Sequence, residues 1–403
     1  MTDSSPPFLR YAPPSGIYET LYAFQSAFGR PMGEPTTHPW SQGCPLTTQL
    51  PGGPELPSSV EVSSDDLKYP KAWGVPALRE AIARSYREFY GAEVEADNVM
   101  VFAGGRPGLI AMMLFLDQDV TVRVSETEYT PYYEILGSFH RKQSLVPSNP
   151  GNGFRPSVAD FVGDPSEGRR LVMYSNPCNP TGHTRTGSDL KELVDAAAYG
   201  KTGLLVDEAY EFFHKRPDSA LGYVKDINES NLFVCGAATK GLQAPGLRIG
   251  WIVSSRRNIQ VLGNFSSYAI GGVSHPSQRM AAAMLEPSRL HQARKAIGDF
   301  YGMQRNRYGA ALESLGLKLH TGKGAFYHWC ELPEGISAAS LNKALFPHGA
   351  AILEGQDCDM ARRGEQSPMA NFFRFSFGAL EPDSFDTNIR VMRDALNSLT
   401  ASL

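Results

Sequence analysis

Cysteine is scarce in this chain of 403 residues, which has five: Cys44, Cys178, Cys235, Cys330 and Cys358. Spaced so widely, they form no disulfide framework. With nine scattered histidines they offer no zinc spacing either, so no metal site is expected. No uncharged apolar run reaches the ~20 residues that span a bilayer. Met1 to Pro14 is polar and rich in proline and serine, without the basic and then apolar layout of an export signal. Excess positive charge is also missing: the formal net charge is −4, which recommends no nucleic-acid partner. Together these absences lead to the expectation of a soluble, cytoplasmic protein with neither membrane nor nucleic-acid partners. What remains is an ordinary globular composition, 42% hydrophobic and 20% charged, long enough for about two or three domains' worth of chain.

Residues 1–60 are rich in Gly, Pro, Ser and Thr and read as an irregular arm with one short helix near Ile17–Phe28. From Gly74 the pattern changes. Val75–Tyr90 sets Leu78, Ile82, Ala83 and Tyr86 at helical spacing. Asn98–Phe102 is a short apolar strand that runs into glycines, followed by an apolar helix at Leu109–Leu116 and a strand at Val120–Val124. Strand-like runs recur at Arg170–Ser175, Gly203–Val206, Leu232–Cys235 and Ile249–Val253, with helical stretches such as Gly187–Tyr199 between them. That alternation implies a mostly parallel sheet covered on both faces, hence an α/β fold. After residue 275 helices dominate (Gln278–Leu285, Leu290–Leu315), then short strands near Gly324–Glu331 and Phe372–Phe377, then a last helix at Asp383–Leu399. The expected division is an arm and part of a small domain over 1–60, a large domain over 61–285, and a smaller α+β domain over 286–403.

Several motifs fall at strand ends, where open parallel sheets collect ligands. Asn176-Pro177-Cys178-Asn179-Pro180-Thr181-Gly182 follows the apolar run Leu171–Tyr174 and by itself reads as a tight turn. Val206-Asp207-Glu208-Ala209-Tyr210 closes the next strand. Thr239-Lys240 follows Leu232–Cys235, where a charged tip would line a cleft. Ala103-Gly104-Gly105-Arg106-Pro107-Gly108-Leu109 joins a strand to a helix, a place where glycines let backbone amides approach an anion. In Phe372-Phe373-Arg374-Phe375-Ser376-Phe377 one arginine interrupts an apolar strand, and a charge there needs a partner, either an internal acid or a ligand.

In order and spacing these motifs resemble the class I/II aminotransferases, of the pyridoxal-5′-phosphate-dependent fold-type I (aspartate aminotransferase) family. The resemblance runs from about Tyr69 to Arg374. It implies a large domain with a mostly parallel seven-stranded sheet flanked by helices, plus the smaller α+β domain. It also implies that Lys240 carries pyridoxal phosphate as a Schiff base and moves the substrate's α-proton. Asp207 would hold the ring nitrogen protonated, Tyr129 would stack on the ring, and Asn179 and Tyr210 would reach the phenolic oxygen. Arg248, Thr239 and the Gly104-Gly105-Arg106 turn would hold the phosphate, Arg106 either adding charge there or meeting an anionic substrate, and Arg374 would take the substrate carboxylate beside Asn179. Gly43, in Ser41-Gln42-Gly43, would close over the substrate. Tyr69, followed by Gly74 and Leu78-Arg79, would reach the neighbouring subunit's phosphate, which implies a homodimer with shared sites.

Two features depart from the family. Ala237 stands where a phosphate-binding serine is usual, and Arg106-Pro107 replaces a Gly-Ala-Thr-like turn. The activity implied is transamination between an amino acid and a keto acid. The alternative is a lyase, cyclase or γ-replacement enzyme of specialised biosynthesis, such as one acting on S-adenosylmethionine and resembling aminocyclopropane-carboxylate synthase. Some regulators join the same fold to a DNA-binding domain, but no basic helix-turn-helix segment precedes it here.

Overall fold

Seven strands form the larger sheet of the computed structural model, which describes residues 16–400. They are β1 (Val99–Phe102), β2 (Thr121–Ser125), β3 (Gln143–Val146), β4 (Arg170–Ser175), β5 (Thr202–Asp207), β6 (Leu232–Ala237) and β7 (Gly250–Val253). Their order is β1-β7-β6-β5-β4-β2-β3. Only β7 runs against its neighbours, pairing antiparallel with both β1 and β6. Every residue of β4 and β5 is buried, which is why their sequences run apolar without alternating. Removing a side chain such as Leu204 or Val206 from water contributes about 1.5–3 kcal/mol, and both are fully covered.

The helix Pro76–Tyr90 buries Leu78, Ile82 and Tyr86 on one face. It stops at Gly91, whose φ of 64° lets its N–H return to the carbonyls of Tyr86 and Arg87. The next helix, Gly105–Phe115, begins four residues before the apolar pattern at Leu109. Pro107 is tolerated in its opening turn because the first four amides of a helix have no partner within it. The glycine-rich segment is therefore the start of the helix itself. Met1 to Pro14, whose layout argued against an export signal, lies outside the described residues. Among the described residues no helix is long and apolar enough to cross a membrane.

A second sheet is antiparallel throughout: β8 (Lys318–Leu319), β9 (Tyr327–Glu331), β10 (Leu353–Glu354) and β11 (Phe372–Ser376), in the order β10-β11-β9-β8. The helices Pro287–Ser314, Ala338–Leu345 and Phe385–Thr400 accompany it. The Asn176–Gly182 turn bonds to the segment leading into β9: Gly322 N–H reaches Thr181 O and Gly324 N–H reaches Gly182 O, each at 2.8 Å. A Cβ on Gly182 would come within 2.6 Å of Gly324 O, so only glycine permits this approach. That contact ties the turn after β4 to the segment that enters the second sheet.

Candidate active site

The register of the large sheet brings its motifs together. Ser175 pairs with Asp207, and Asp207 with Cys235, so β4 and β5 end level and β6 runs two residues further, to Ala237. Phe102 and Ala237 both pair with Gly250, which sets the Gly104-Gly105 turn on the same edge.

Asp207 is buried, with 7% of its surface exposed. Its Oδ1 accepts the Ala209 N–H at 3.1 Å and its Oδ2 accepts the Tyr132 hydroxyl at 3.0 Å. No Lys, Arg or His among the described residues forms an ion pair with it. Burial raises its pKa, while those two hydrogen bonds and the charges of Lys240 and Arg106 pull the other way.

Lys240 lies in the four-residue helix Ala238–Gly241 that follows β6. Its Nζ donates to Gly43 O and sits 5.8 Å from the Tyr210 ring centre and 5.9 Å from that of Phe326. Burial is the main cause that pushes its pKa down to about 8. Arg374, Arg106 and Arg248 add to that, and Cys44 opposes it. A neutral amine is thus within reach near physiological pH, as a nucleophile or proton acceptor requires.

Arg374 comes in from β11. It is buried, and its Nη1 donates to Asn179 Oδ1 at 2.8 Å and its Nη2 to Ser41 O at 2.6 Å. Its guanidinium lies 4.3 Å from the Tyr327 ring centre, and its Nε has no partner. No acidic side chain among the described residues pairs with it, so the internal-acid explanation of this strand arginine fails. Because Asn179 Oδ1 is taken by Arg374, the asparagine's nitrogen is left to donate.

The Gly104 turn and Arg248 form the third wall. Gly104 has φ 109°, and a Cβ there would lie 2.3 Å from Arg248 Nη2. Arg248 is exposed, with φ 53°, and its Nη1 donates to Pro245 O at 3.0 Å. A helix N-terminus beside a guanidinium is an anion cradle. Gly105 opens that helix, Ala237 lies on the cradle's rim, and Thr239 is half-buried beside Lys240. Arg106 reaches Tyr129: its Nε donates to the Tyr129 hydroxyl at 2.8 Å. Tyr210 shares a 2.5 Å hydrogen bond with Tyr327. Tyr69 stands outside this cleft, 91% exposed.

Three contributors went unmarked in the sequence. Tyr132, which braces Asp207, sits three residues after Tyr129 and so one helical turn along. Tyr327 reads as core in an apolar strand. Ser175, at the tip of β4, accepts the Asn179 N–H at 3.2 Å. The assembled set fits pyridoxal phosphate. It offers an amine of lowered proton affinity, a buried carboxylate with no cationic partner for a protonated ring nitrogen, a glycine-and-arginine cradle for a phosphate, and an arginine with an unused donor for a carboxylate.

Comparison with known proteins agrees with that fit. The family model described as "Aminotransferase class I and II" matches residues 49–389. An aspartate aminotransferase of Pyrococcus horikoshii is 28% identical over 286 residues, covering 70% of this chain and 72% of its own length. A valine–pyruvate aminotransferase of Mycobacterium tuberculosis is 27% identical over 347 residues, 82% of this chain and 85% of its own. The solved structure of the Thermus thermophilus aspartate aminotransferase with maleate superposes with a TM-score of 0.73 at 21% identity, covering 97% of both chains. At that identity the likeness is one of fold.

Proposed function

That this chain belongs to the class I and II aminotransferase family is the premise from which we propose its working residues. It is a pyridoxal-phosphate-dependent aminotransferase acting on amino acid and keto acid substrates. The cofactor, when bound, supplies a carbonyl that captures the substrate's amino group and a ring that withdraws electrons from the α-carbon.

In our reading Lys240 holds the cofactor, and its Nζ, once released, takes and returns the α-proton. Asp207 holds the ring nitrogen's proton, and Tyr132 fixes Asp207 in place. Tyr129 stacks on the ring, while Asn179 and Tyr210 donate to the phenolic oxygen. Gly104, Gly105, Arg248 and Thr239 receive the phosphate, with Arg106 adding positive charge behind Tyr129. Arg374 grips the substrate's α-carboxylate as a planar fork, with Asn179 beside it. Gly43 covers Lys240, since its carbonyl accepts a hydrogen bond from the lysine's Nζ. The observation that carries this reading is the lysine itself: Lys240 lies in one cleft with an unpaired acid and an arginine that has no acidic partner.

The exposed Tyr69 supports a homodimer in which it completes a neighbour's phosphate site. We take 61–285 as the cofactor-binding domain, 286–403 as the small domain and 1–60 as an arm with part of the small domain, whose Ser41 and Gly43 reach Arg374 and Lys240. Five free cysteines favour the cytoplasm.

Borohydride reduction of the cofactor-loaded protein followed by peptide mapping tests the assignment. The cofactor should be found on Lys240, and label on another lysine overturns it. Exposure to a panel of amino acids should then bleach the visible band and release the matching keto acids.

A further inference from the structure

A second buried carboxyl lies behind the site, and the reaction as set out above does not use it. Glu128 has no exposed surface and directly precedes Tyr129. Its Oε1 accepts the Tyr129 N–H at 3.0 Å and the hydroxyl of Ser175. The Ser175 N–H lies 3.4 Å from its Oε2, and Cys178 Sγ lies 3.9 Å from Oε1. Ser175 Oγ in turn accepts the N–H of Asn179 at 3.2 Å. The N–H of Glu128 itself donates to Cys358 O at 3.2 Å, on the segment between β10 and β11.

The titratable groups facing Glu128 are Asp207 from β5, Tyr174 from β4, Cys178 from the turn and Tyr132 from the helix Pro131–Ser138. None is a cation, and among the described residues no Lys, Arg or His bonds to it. Burial, with Asp207 adding to it, raises its proton affinity. A carboxyl buried without a counter-ion is costly, and an apolar residue would serve packing better. What Glu128 supplies that an apolar residue lacks is its acceptor oxygens.

We propose that Glu128 is a positioning residue of the reaction: through Ser175 it seats Asn179, and through the Tyr129 amide it seats the stacking ring. This rests on the reading of Asn179 and Tyr129 as cofactor contacts. A donor on the phenolic oxygen weakens that oxygen's hold on the proton at the lysine nitrogen. A displaced Asn179 therefore raises the pH at which the visible band titrates.

The test is that titration in the cofactor-loaded wild type, E128A, E128Q, S175A and the double variant E128A/S175A. E128A and S175A should each raise the midpoint by about one unit. E128Q keeps an acceptor of the same shape and should restore it. The double variant should shift no further than either single one, since Glu128 reaches Asn179, the donor that sets the midpoint, through Ser175. Should E128A fail to fold, E128L, which keeps the bulk and removes the acceptor oxygens, takes its place and should shift as S175A does while E128Q does not. Unshifted midpoints, additive shifts, or E128Q moving as far as E128A overturn the inference while borohydride label on Lys240 leaves the site assignment standing. Label elsewhere in the wild type overturns both.

Discussion

Tyr132 donates its hydroxyl to Asp207 across 3.0 Å, with both residues buried. The two come from different elements, one from the helix after β2 and the other from the tip of β5. The bond fixes the direction of a carboxylate that forms no ion pair among the described residues. Tyr132 also meets Tyr129 edge to face, with ring centres 5.3 Å apart, so one side chain supports both the acid and the stacking ring.

Replacing Tyr132 by phenylalanine keeps the aromatic contact and removes only the donor. A hydrogen bond to a charged group contributes about 1.5–3 kcal/mol, so Y132F should lose cofactor about tenfold faster or more. It should also lower kcat with little change in KM, because Tyr132 is placed against Asp207 and not against substrate. Cofactor dissociation followed by the visible band measures this. Wild-type retention in Y132F would show that Asp207 needs no brace.

Lys240 sets a pH dependence whose direction follows from its shift. Its pKa lies near 8, below the ordinary 10.5. In the cofactor-free protein the neutral amine prevails above about 8, and below that its fraction falls tenfold per unit. The rate of cofactor capture should therefore climb with pH and level off above about 8. The same shift couples to folding. Between about 8 and 10.5 the unfolded lysine still holds its proton and the folded one has lost it, so stability gains from Lys240 as pH rises through that window. The difference in urea midpoint between wild type and K240A, followed across the window, reads this gain. A capture rate flat from pH 6 to about 9 would contradict the shift.

The chain pattern made most of this fold readable where burial is uniform. The β4 run Arg170–Ser175 matches the observed strand residue for residue because both of its faces are covered. The helix Ile17–Phe28 likewise stands where expected. The helix Arg256–Phe265 escaped notice: it opens with Arg-Arg-Asn and buries only a thin stripe through Ile259, Leu262 and Phe265. Ala338–Leu345 is too short for its period to stand out. At the site, Asn179, Asp207 and Lys240 were legible as candidates because polar residues at or just past apolar strand ends, in the family's order, demand an explanation, and Arg374 because it interrupts the apolar strand Phe372–Ser376. Tyr132 and Tyr327 were not, since a tyrosine in an apolar setting reads as packing until its hydroxyl's partner is seen.

Arg374 should divide substrates by their carboxylate. R374A removes both donors of the fork, and a buried charge-assisted pair of this kind is worth about 3 kcal/mol, or about a hundredfold in kcat/KM. R374K retains charge but not the planar fork, and should recover only part of that loss. Toward an amine that lacks the α-carboxylate the wild type and R374A should perform alike. Steady-state comparison of an amino acid with its decarboxylated counterpart settles the matter. Equal losses on both would mean that Arg374 supports Asn179 and the Ser41 backbone without touching substrate.

Ala237 permits a test by gain. It precedes the helix Ala238–Gly241 at the N-cap position and makes no side-chain cap. Its Cβ lies 3.7 Å from where a Cβ on Gly105 would stand, at the mouth of the phosphate cradle. A serine here has two uses for its hydroxyl. Turned toward the cradle it donates to phosphate, and one such bond, worth about 0.5–1.5 kcal/mol, should tighten cofactor binding about three- to tenfold. Turned back on the helix it caps a free N–H, which stabilises the cofactor-free protein by about 1 kcal/mol and leaves affinity unchanged. The glycine wall keeps the cradle side open, so A237S should follow the first course. Cofactor titration of the apoprotein, read beside its urea midpoint, separates the two. Tighter binding with an unmoved midpoint identifies position 237 as part of the phosphate site, and the reverse pattern removes it from that site.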